Sequence, residues 1–165
     1  MKTLIIVRHA KSSWANIGQA DFDRDLNERG KKDGPEMAKR LVGKKIDIDQ
    51  FISSPARRAK KTCEAFCKAF NVNDNKIIFI EKLYHAASDA FYQVIETLDQ
   101  EWKTVTIFSH NPGITEFVNT LCKEVNIDNM PTCAVFGVSS DIKNWKEFEK
   151  AEKEFLFFDY PKSGN

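Results

Sequence analysis

Histidine and arginine residues stand directly behind several apolar runs of this sequence. Arg8 and His9 follow the first run, His110 follows a later one, and Arg58 lies shortly after a third. A guanidinium group can bind two oxygens of a phosphoryl group at once and offset their charge. A neutral imidazole can attack phosphorus and hold it covalently. This combination indicates phosphoryl transfer, provided that the fold brings the four side chains together.

Other common nucleophile patterns are missing from the sequence. It contains no G-x-S-x-G motif, and no cysteine is followed by an arginine at the spacing of a phosphate-binding loop. Asp47 and Asp49 form a D-x-D pattern, but this pattern precedes an apolar run instead of following it. Histidine is therefore the remaining candidate nucleophile.

Short apolar runs alternate with stretches of helical periodicity along the chain. The runs that predict buried strands are Thr3–Val7, Gln50–Ser53, Lys76–Ile80, Thr104–Ser109, Cys133–Ser139 and Glu154–Tyr160. The stretches with apolar side chains at helical spacing are Met37–Leu41, Ala59–Phe70, Phe91–Leu98 and Ile114–Val125. This alternation predicts an α/β fold, a three-layer α/β/α sandwich with a mostly parallel central sheet. Only Asp141–Ala151 could form a short helix between the last two strands, so an antiparallel edge strand is expected there.

The predicted sheet places the candidate residues at one edge. Ligands of such sheets bind beyond the carboxyl ends of the strands, where all four side chains named above are expected. Ser54 precedes Pro55, and Asn111 precedes Pro112, so both are typical of helix N-caps. Helix N-termini would add partial positive charge to the same edge.

The composition predicts one domain over residues 1–165 and argues against several other classes of protein. The 25 Lys and Arg residues nearly balance the 24 Asp and Glu residues, so no overall field favours nucleic acid or an anionic membrane. Four cysteines without a C-x-x-C pair and three histidines offer little for a structural zinc site. The apolar run Leu4–Val7 is too short for a signal-peptide core or a membrane span. We therefore expect a cytoplasmic monomer with reduced thiols and without a metal or other cofactor.

Four motifs occur in a fixed order along the chain. They are RHAKSSW from Arg8, DFDRDLNERG from Asp21, SSPARRAKKT from Ser53 and FSHNPG from Phe108. Together they resemble the phosphoglycerate mutase-like histidine phosphatase superfamily, in particular its small SixA-like branch of phosphohistidine phosphatases. Each motif alone is weak, but four in order at predicted strand ends are a strong signal.

The resemblance implies a role for each of the first four candidates. His9 would be the nucleophile that is phosphorylated during catalysis, while Arg8, Arg58 and His110 would surround the phosphoryl oxygens. The family spacing selects Arg58 over the adjacent Arg57. The implied reaction is metal-independent hydrolysis of a phosphoryl group, first of all from protein phosphohistidine. A small-molecule phosphomonoesterase and a non-catalytic phosphate-binding module are the alternatives, and a phosphomutase is less favoured because it must keep water from its intermediate.

Two further residues are candidates for substrate binding. Ser12 could offer a hydroxyl to phosphate, although a serine in such a loop is more often a turn or cap residue. His85, in EKLYHAAS, stands where larger relatives place a carboxylate that serves as general acid, so we predict that it lines the mouth of the site and protonates the leaving group. The missing carboxylate favours a phosphohistidine substrate, whose imidazole needs less help to leave than an alkoxide.

The two histidines at strand ends are expected to differ in protonation. His9 must be neutral to attack, whereas a protonated His110 would bind the transferring oxygens better. A bell-shaped dependence of the rate on pH is therefore predicted.

Overall fold

The computed structural model describes residues 1–163 and contains a six-stranded sheet with helices on both faces. The strands are β1 (Lys2–Arg8), β2 (Gln50–Ser53), β3 (Ile78–Phe79), β4 (Thr104–Ser109), β5 (Val135–Ser140) and β6 (Glu154–Asp159). The helices are α1 (Glu28–Gly43), α2 (Arg57–Ala69), α3 (Ser88–Glu96) and α4 (Gly113–Leu121). The last two residues of the predicted domain, Gly164 and Asn165, lie outside the described part of the chain.

The strand order is β3-β2-β4-β1-β5-β6. The first four strands in this order are parallel to one another, whereas β5 is antiparallel to β1 and β6 is antiparallel to β5. The prediction of a mostly parallel sheet with an antiparallel edge is confirmed, and two strands form the antiparallel part. The parallel part matters for function because β1, β2 and β4 end at the same edge.

Successive side chains of β1 enter two different cores. Leu4 and Ile6 pack against α3 and α4, while Ile5 and Val7 pack against α1 and α2, and all four are fully buried. This follows from the period of two in a strand, whose side chains alternate between the faces of the sheet. The three-layer arrangement predicted from the sequence is thereby confirmed.

Two predicted elements are shorter in the structure. The run Lys76–Ile80 contributes only β3, because Asn73 accepts a hydrogen bond from the backbone of Asn75 and starts a 3₁₀ turn at Asp74–Lys76. The segment Asp141–Ala151 holds one 3₁₀ turn, Trp145–Glu147, closed by a capping box between Asn144 and Glu147.

The predicted N-caps Ser54 and Asn111 are wrong. Helix α2 begins at Arg57 after Ala56, and helix α4 begins at Gly113 after Pro112. The side chains of Ser54 and Asn111 are engaged elsewhere, the first with a histidine described below and the second with the Thr115 hydroxyl.

Gly113 permits a close approach at the start of α4. A Cβ atom there would lie 1.7 Å from the carbonyl oxygen of Ala86, in the loop before α3. The loop that carries Tyr84 and His85 can therefore pack directly on this helix. Within residues 1–163, none of the helices combines the length and apolar composition that crossing a bilayer requires.

Candidate active site

A cleft of about 410 Å³ lies at the carboxyl ends of β1, β2 and β4. All six residues predicted from the sequence to act in the site border it, together with seven that were not predicted. Its lining consists of Arg8, His9, Lys11, Ser12, Trp14, Asp21, Arg24, Arg58, Tyr84, His85, His110, Asn111 and Thr132. The catalytic roles assigned to the six remain predictions.

His9 follows β1 and is nearly buried, with 6% of its surface exposed. Its Nδ1 lies 2.7 Å from the carbonyl oxygen of Ala10, which can only accept, so Nδ1 carries the proton. The other ring nitrogen, Nε2, therefore holds a lone pair, and Arg58 Nε donates to it at 3.4 Å. Burial, more than the charges of Arg58 and Arg8, lowers the pKa of His9 to about 3. His9 is thus a neutral imidazole with its unprotonated nitrogen beside a guanidinium group.

Arg58 is held over His9 by its place in the first turn of α2. Its backbone carbonyl accepts from the Thr62 hydroxyl at 2.8 Å, and that hydroxyl accepts from the backbone N–H of Ala10 at 2.9 Å. Thr62 therefore joins the start of α2 to the loop behind β1. The neighbouring Arg57 points away and forms an ion pair with Asp25 at 3.2 Å. The structure places Arg58 rather than Arg57 in the cleft, as the family spacing selects.

His110 follows β4, and its ring lies 5.0 Å from that of His9. Its Nε2 makes a hydrogen bond of 2.7 Å with the Ser54 hydroxyl, at the end of β2. Burial, followed by the charges of His9 and Arg58, lowers the pKa of His110 to about 2. The expectation of a protonated His110 is therefore wrong for the free protein, because a buried imidazole among cations disfavours a further positive charge.

Arg8 ends β1 and reaches across to the loop before β5. Its Nη1 donates to the carbonyl oxygen of Met130 at 2.8 Å, which fixes the direction of the guanidinium group. Burial and the charge of Arg58 lower the pKa of Arg8. A guanidinium group close enough to Arg58 to feel its charge helps to form a place where an anion is stabilised.

The two weaker candidates occupy different parts of the cleft. Ser12 is buried and pairs through its backbone with Leu26. His85 is exposed, and its ring stacks on that of Tyr84 with the centroids 3.9 Å apart. Ser12 is thus a buried part of the cleft lining, while His85 is an exposed part of it.

Four of the seven unpredicted residues of the cleft contact one another: Trp14, Asp21, Arg24 and Tyr84. Asp21 accepts from Arg58 at 3.0 Å, from Arg24 at 3.1 Å and from the Tyr84 hydroxyl at 2.7 Å. Trp14 lies over the guanidinium group of Arg24, with 3.5 Å between the ring centroid and Cζ. Asp21 and Arg24 belong to the motif DFDRDLNERG, which was the available signal, but the motif alone assigned them no role.

The charges that line the cleft favour an anion. Lys11, Arg8, Arg24 and Arg58 contribute four positive charges against the one negative charge of Asp21, and His9 and His110 are neutral. A phosphoryl group carries two negative charges near neutral pH and suits such a site. Within the described residues, no cluster of three or more His, Cys, Asp or Glu side chains is arranged to hold a metal ion.

The fold and the cleft define a class of α/β proteins that place a neutral histidine among arginines at the carboxyl edge of a sheet. Residues 4–84 match the profile of the histidine phosphatase superfamily (branch 1). The resemblance to that superfamily, expected from the motifs, is confirmed over these residues.

The relatives and solved structures include several phosphatases. Phosphoserine phosphatase 1 of Hydrogenobacter thermophilus is 37% identical over 86 residues, which cover 49% of this chain and 40% of that protein. That protein and the 2,3-bisphosphoglycerate-dependent phosphoglycerate mutase of Mesorhizobium japonicum are longer, and this chain spans about two fifths of their length.

Two SixA structures share the fold over nearly the whole chain. A protein assigned as phosphohistidine phosphatase SixA of Agrobacterium tumefaciens has a TM-score of 0.80 and 24% identity, covering 97% of this chain and 98% of its own. The protein histidine phosphatase SixA complexed with tungstate has a TM-score of 0.80 and 22% identity, covering 96% of each chain. The predicted phosphoglycerate mutase-like α/β fold is confirmed.

Proposed function

We propose that this protein is a phosphatase that forms a covalent phosphohistidine on His9 and acts on protein phosphohistidine. The observation that carries the proposal is the unprotonated Nε2 of His9, a residue that lines the cleft, with Arg58 Nε 3.4 Å from this nitrogen. In the first step Nε2 bonds to phosphorus while the bond from phosphorus to the substrate nitrogen breaks. In the second step water attacks phosphorus, the bond to Nε2 breaks, and inorganic phosphate leaves.

The side chains around His9 supply the charge that this reaction needs. Arg8 and Arg58 lie where they can bind the oxygens of the transferring group, and His110 lies against the same position. Groups of this kind stabilise the charge that develops in the transition state. Because arginines perform this task, the proposed mechanism requires no metal ion.

The protonation state of Asp21, the single carboxylate in the cleft lining, favours an imidazole leaving group. Burial alone would raise the pKa of Asp21, but hydrogen bonds from Tyr84 and Arg58 outweigh it and lower the pKa to about 2. Asp21 is therefore ionised near neutral pH and cannot protonate an alkoxide. Imidazole leaves phosphorus more readily than an alkoxide, and in the proposed mechanism His85, which lines the cleft, gives it a proton.

The border of the cleft supports a protein as the carrier of the phosphoryl group. Trp14 lines the cleft and is 74% exposed, and Ile17 in the same loop is fully exposed. Apolar side chains left in water beside a cationic cleft are typical of contacts with another protein surface. We therefore place the substrate histidine in the cleft and the surface around it against this loop.

A phosphomonoesterase is the second candidate. It is favoured by the similarity to phosphoserine phosphatase 1, which covers about half of the chain. A non-catalytic phosphate-binding module would use the same pocket but would form no covalent intermediate.

The test compares phosphate release from a phosphohistidine peptide and from p-nitrophenyl phosphate, with a chelator present. We expect faster turnover of the peptide, its loss in His9→Ala, and acid-labile labelled phosphate trapped on the wild type but not on His9→Ala. His85→Ala is the matched control. It removes the proposed proton donor and leaves the nucleophile in place, so trapping should become slower but should not be lost. Activity on the ester alone would favour the phosphomonoesterase, and the absence of turnover and trapping would favour the binding module.

A further inference from the structure

The cleft contains an anion of its own. The carboxylate of Asp21 accepts hydrogen bonds from Arg58 Nη2, Arg24 Nε and the Tyr84 hydroxyl. It thus sits between two of the arginines that line a site with an excess of positive charge. A carboxylate in this place repels any phosphoryl group that approaches the same arginines.

These contacts occupy the nitrogens of Arg58. Nε donates to His9, Nη2 donates to the Asp21 carboxylate at 3.0 Å, and Nη1 donates to the backbone carbonyl of Asp21 at 2.7 Å. Arg24 is engaged in the same way, through Nε with Asp21 and through Nη1 with the carbonyl of Ser13 at 3.4 Å. The planar edge with which Arg58 could bind two oxygens therefore faces Asp21.

Of the two contacts between Asp21 and Arg58, one is fixed by the backbone and the other can be released. The backbone carbonyl belongs to the 3₁₀ turn Asp21–Asp23, and it stays in place when the side chain rotates. The carboxylate is 44% exposed and can turn toward solvent about its own side-chain bonds. The carbonyl can thus keep Arg58 directed at the cleft while the carboxylate leaves.

We propose that the Asp21 carboxylate holds the place of the phosphoryl oxygens in the free protein and is displaced when an oxyanion binds. Binding is then an exchange of one anion for another on Arg58 and Arg24. The exchange weakens the binding of free phosphate, which has only its oxygens to offer, and favours a substrate that makes further contacts with the cleft. It also helps product phosphate to leave, because the carboxylate returns to the arginines.

This inference rests on the proposed function for its meaning, but its test does not. The affinity for inorganic phosphate and for tungstate is measured by calorimetry, which requires no turnover. Asp21→Ser removes the competing anion and keeps the backbone carbonyl, so we expect about tenfold tighter binding of both oxyanions. Asp21→Asn retains an acceptor without a charge, and a smaller gain is expected.

Asp23→Ser is the matched control. Asp23 is an exposed carboxylate in the same turn and does not line the cleft, so its removal changes the net charge equally without freeing Arg58. Tighter binding in Asp21→Ser with little change in Asp23→Ser would support displacement. Weaker or unchanged binding in both folded Asp21 variants would overturn it, since Asp21 would then orient the arginines. An equal gain in Asp21→Ser and Asp23→Ser would also overturn it, because the effect would be one of overall charge.

In a phosphatase that acts as proposed, the same variants distinguish the release of product phosphate from the steps in which bonds to phosphorus form and break. Inhibition by product phosphate should become stronger in Asp21→Ser by the same factor as its binding. A protein without phosphatase activity would leave this second result unmeasurable but would leave the calorimetric result intact.

Discussion

The floor and the rim of the cleft are built in different ways. We use floor for His9, Arg58 and His110, and rim for the loop 11–24 together with Tyr84 and His85. The floor side chains are buried and follow or begin regular elements. His110 makes a hydrogen bond with Ser54, and the Thr62 hydroxyl joins the backbones of Arg58 and Ala10. The rim is largely exposed, and irregular segments supply it. The difference indicates that the sheet and the helices determine the surroundings of the nucleophile, while the loops determine which substrate reaches it.

The largest effect should come from the floor, through Arg58→Ala. Loss of one preorganised donor to a transferring group typically lowers the rate about 100- to 1,000-fold, and Arg58 in addition contacts the nucleophile. We expect a fall of this size in kcat/KM for a phosphohistidine peptide, measured as phosphate release.

Arg57→Ala provides the control, because it removes the adjacent arginine of the same helical turn. Arg57 is bound to Asp25 and does not line the cleft, so its loss should change the rate about twofold or less. Equal losses in the two variants would show that the positive charge of the helix start, and not the position of Arg58, is what matters.

A second distinction between floor and rim concerns stability at acid pH. The pKa values of His9 and His110 are lowered to about 3 and about 2, below the value near 6.5 of an unfolded chain. Between these values the unfolded state binds more protons than the folded state, so stability is complete above pH 6.5 and is lost as the pH falls below it. From pH 6.5 to pH 5 each histidine should remove up to about 2 kcal/mol from the free energy of unfolding.

Urea unfolding at pH 7, 6 and 5 measures this loss. His110→Gln should reduce the slope of stability against pH, whereas Val42→Ser, which removes an exposed side chain without a titratable group, should keep the slope of the wild type. Asp21 does not enter this window, since its unfolded pKa lies near 3.8. A slope that is the same in all three proteins would mean that His110 does not resist protonation in the folded state.

The floor could be predicted from the sequence because two local patterns determine it. Apolar runs define β1 and β4, and the residue after a parallel strand must lie at the carboxyl edge, so His9 and His110 were expected to be neighbours. The position of Arg58 was selected by the spacing within a motif. Even in the floor, the prediction for Ser54 was wrong. A serine before a proline has the sequence pattern of an N-cap, and the sequence does not show that His110 offers its hydroxyl another hydrogen bond.

The rim could not be predicted in the same way. Asp21 and Tyr84 are 63 residues apart, and neither belongs to a periodic pattern, so their hydrogen bond depends on how two irregular loops meet. Gly113 could not be explained from the sequence either. A Cβ atom at this position would collide with Ala86, and this contact is seen only in the folded chain. The protonation of His110 was misjudged for a related reason, since burial and the surrounding cations become known only once the side chains are placed.

The smallest expected effect lies at the outermost part of the rim, at Ile17. In the proposed function Ile17 contacts the protein that carries the phosphoryl group, and it does not line the cleft. Ile17→Ser should therefore lower kcat/KM about two- to tenfold for a folded protein phosphorylated on an exposed histidine, as expected for one apolar contact at an interface. Free phosphohistidine should be hydrolysed at an unchanged rate, because it is too small to span the loop.

Val42→Ser is the matched control for Ile17→Ser. Val42 is also exposed, but it lies in the last turn of α1 and does not line the cleft. If Ile17→Ser slowed both substrates equally, Ile17 would act through the shape of the loop, and the rim would have to be regarded as part of the catalytic structure and not as a surface for a partner.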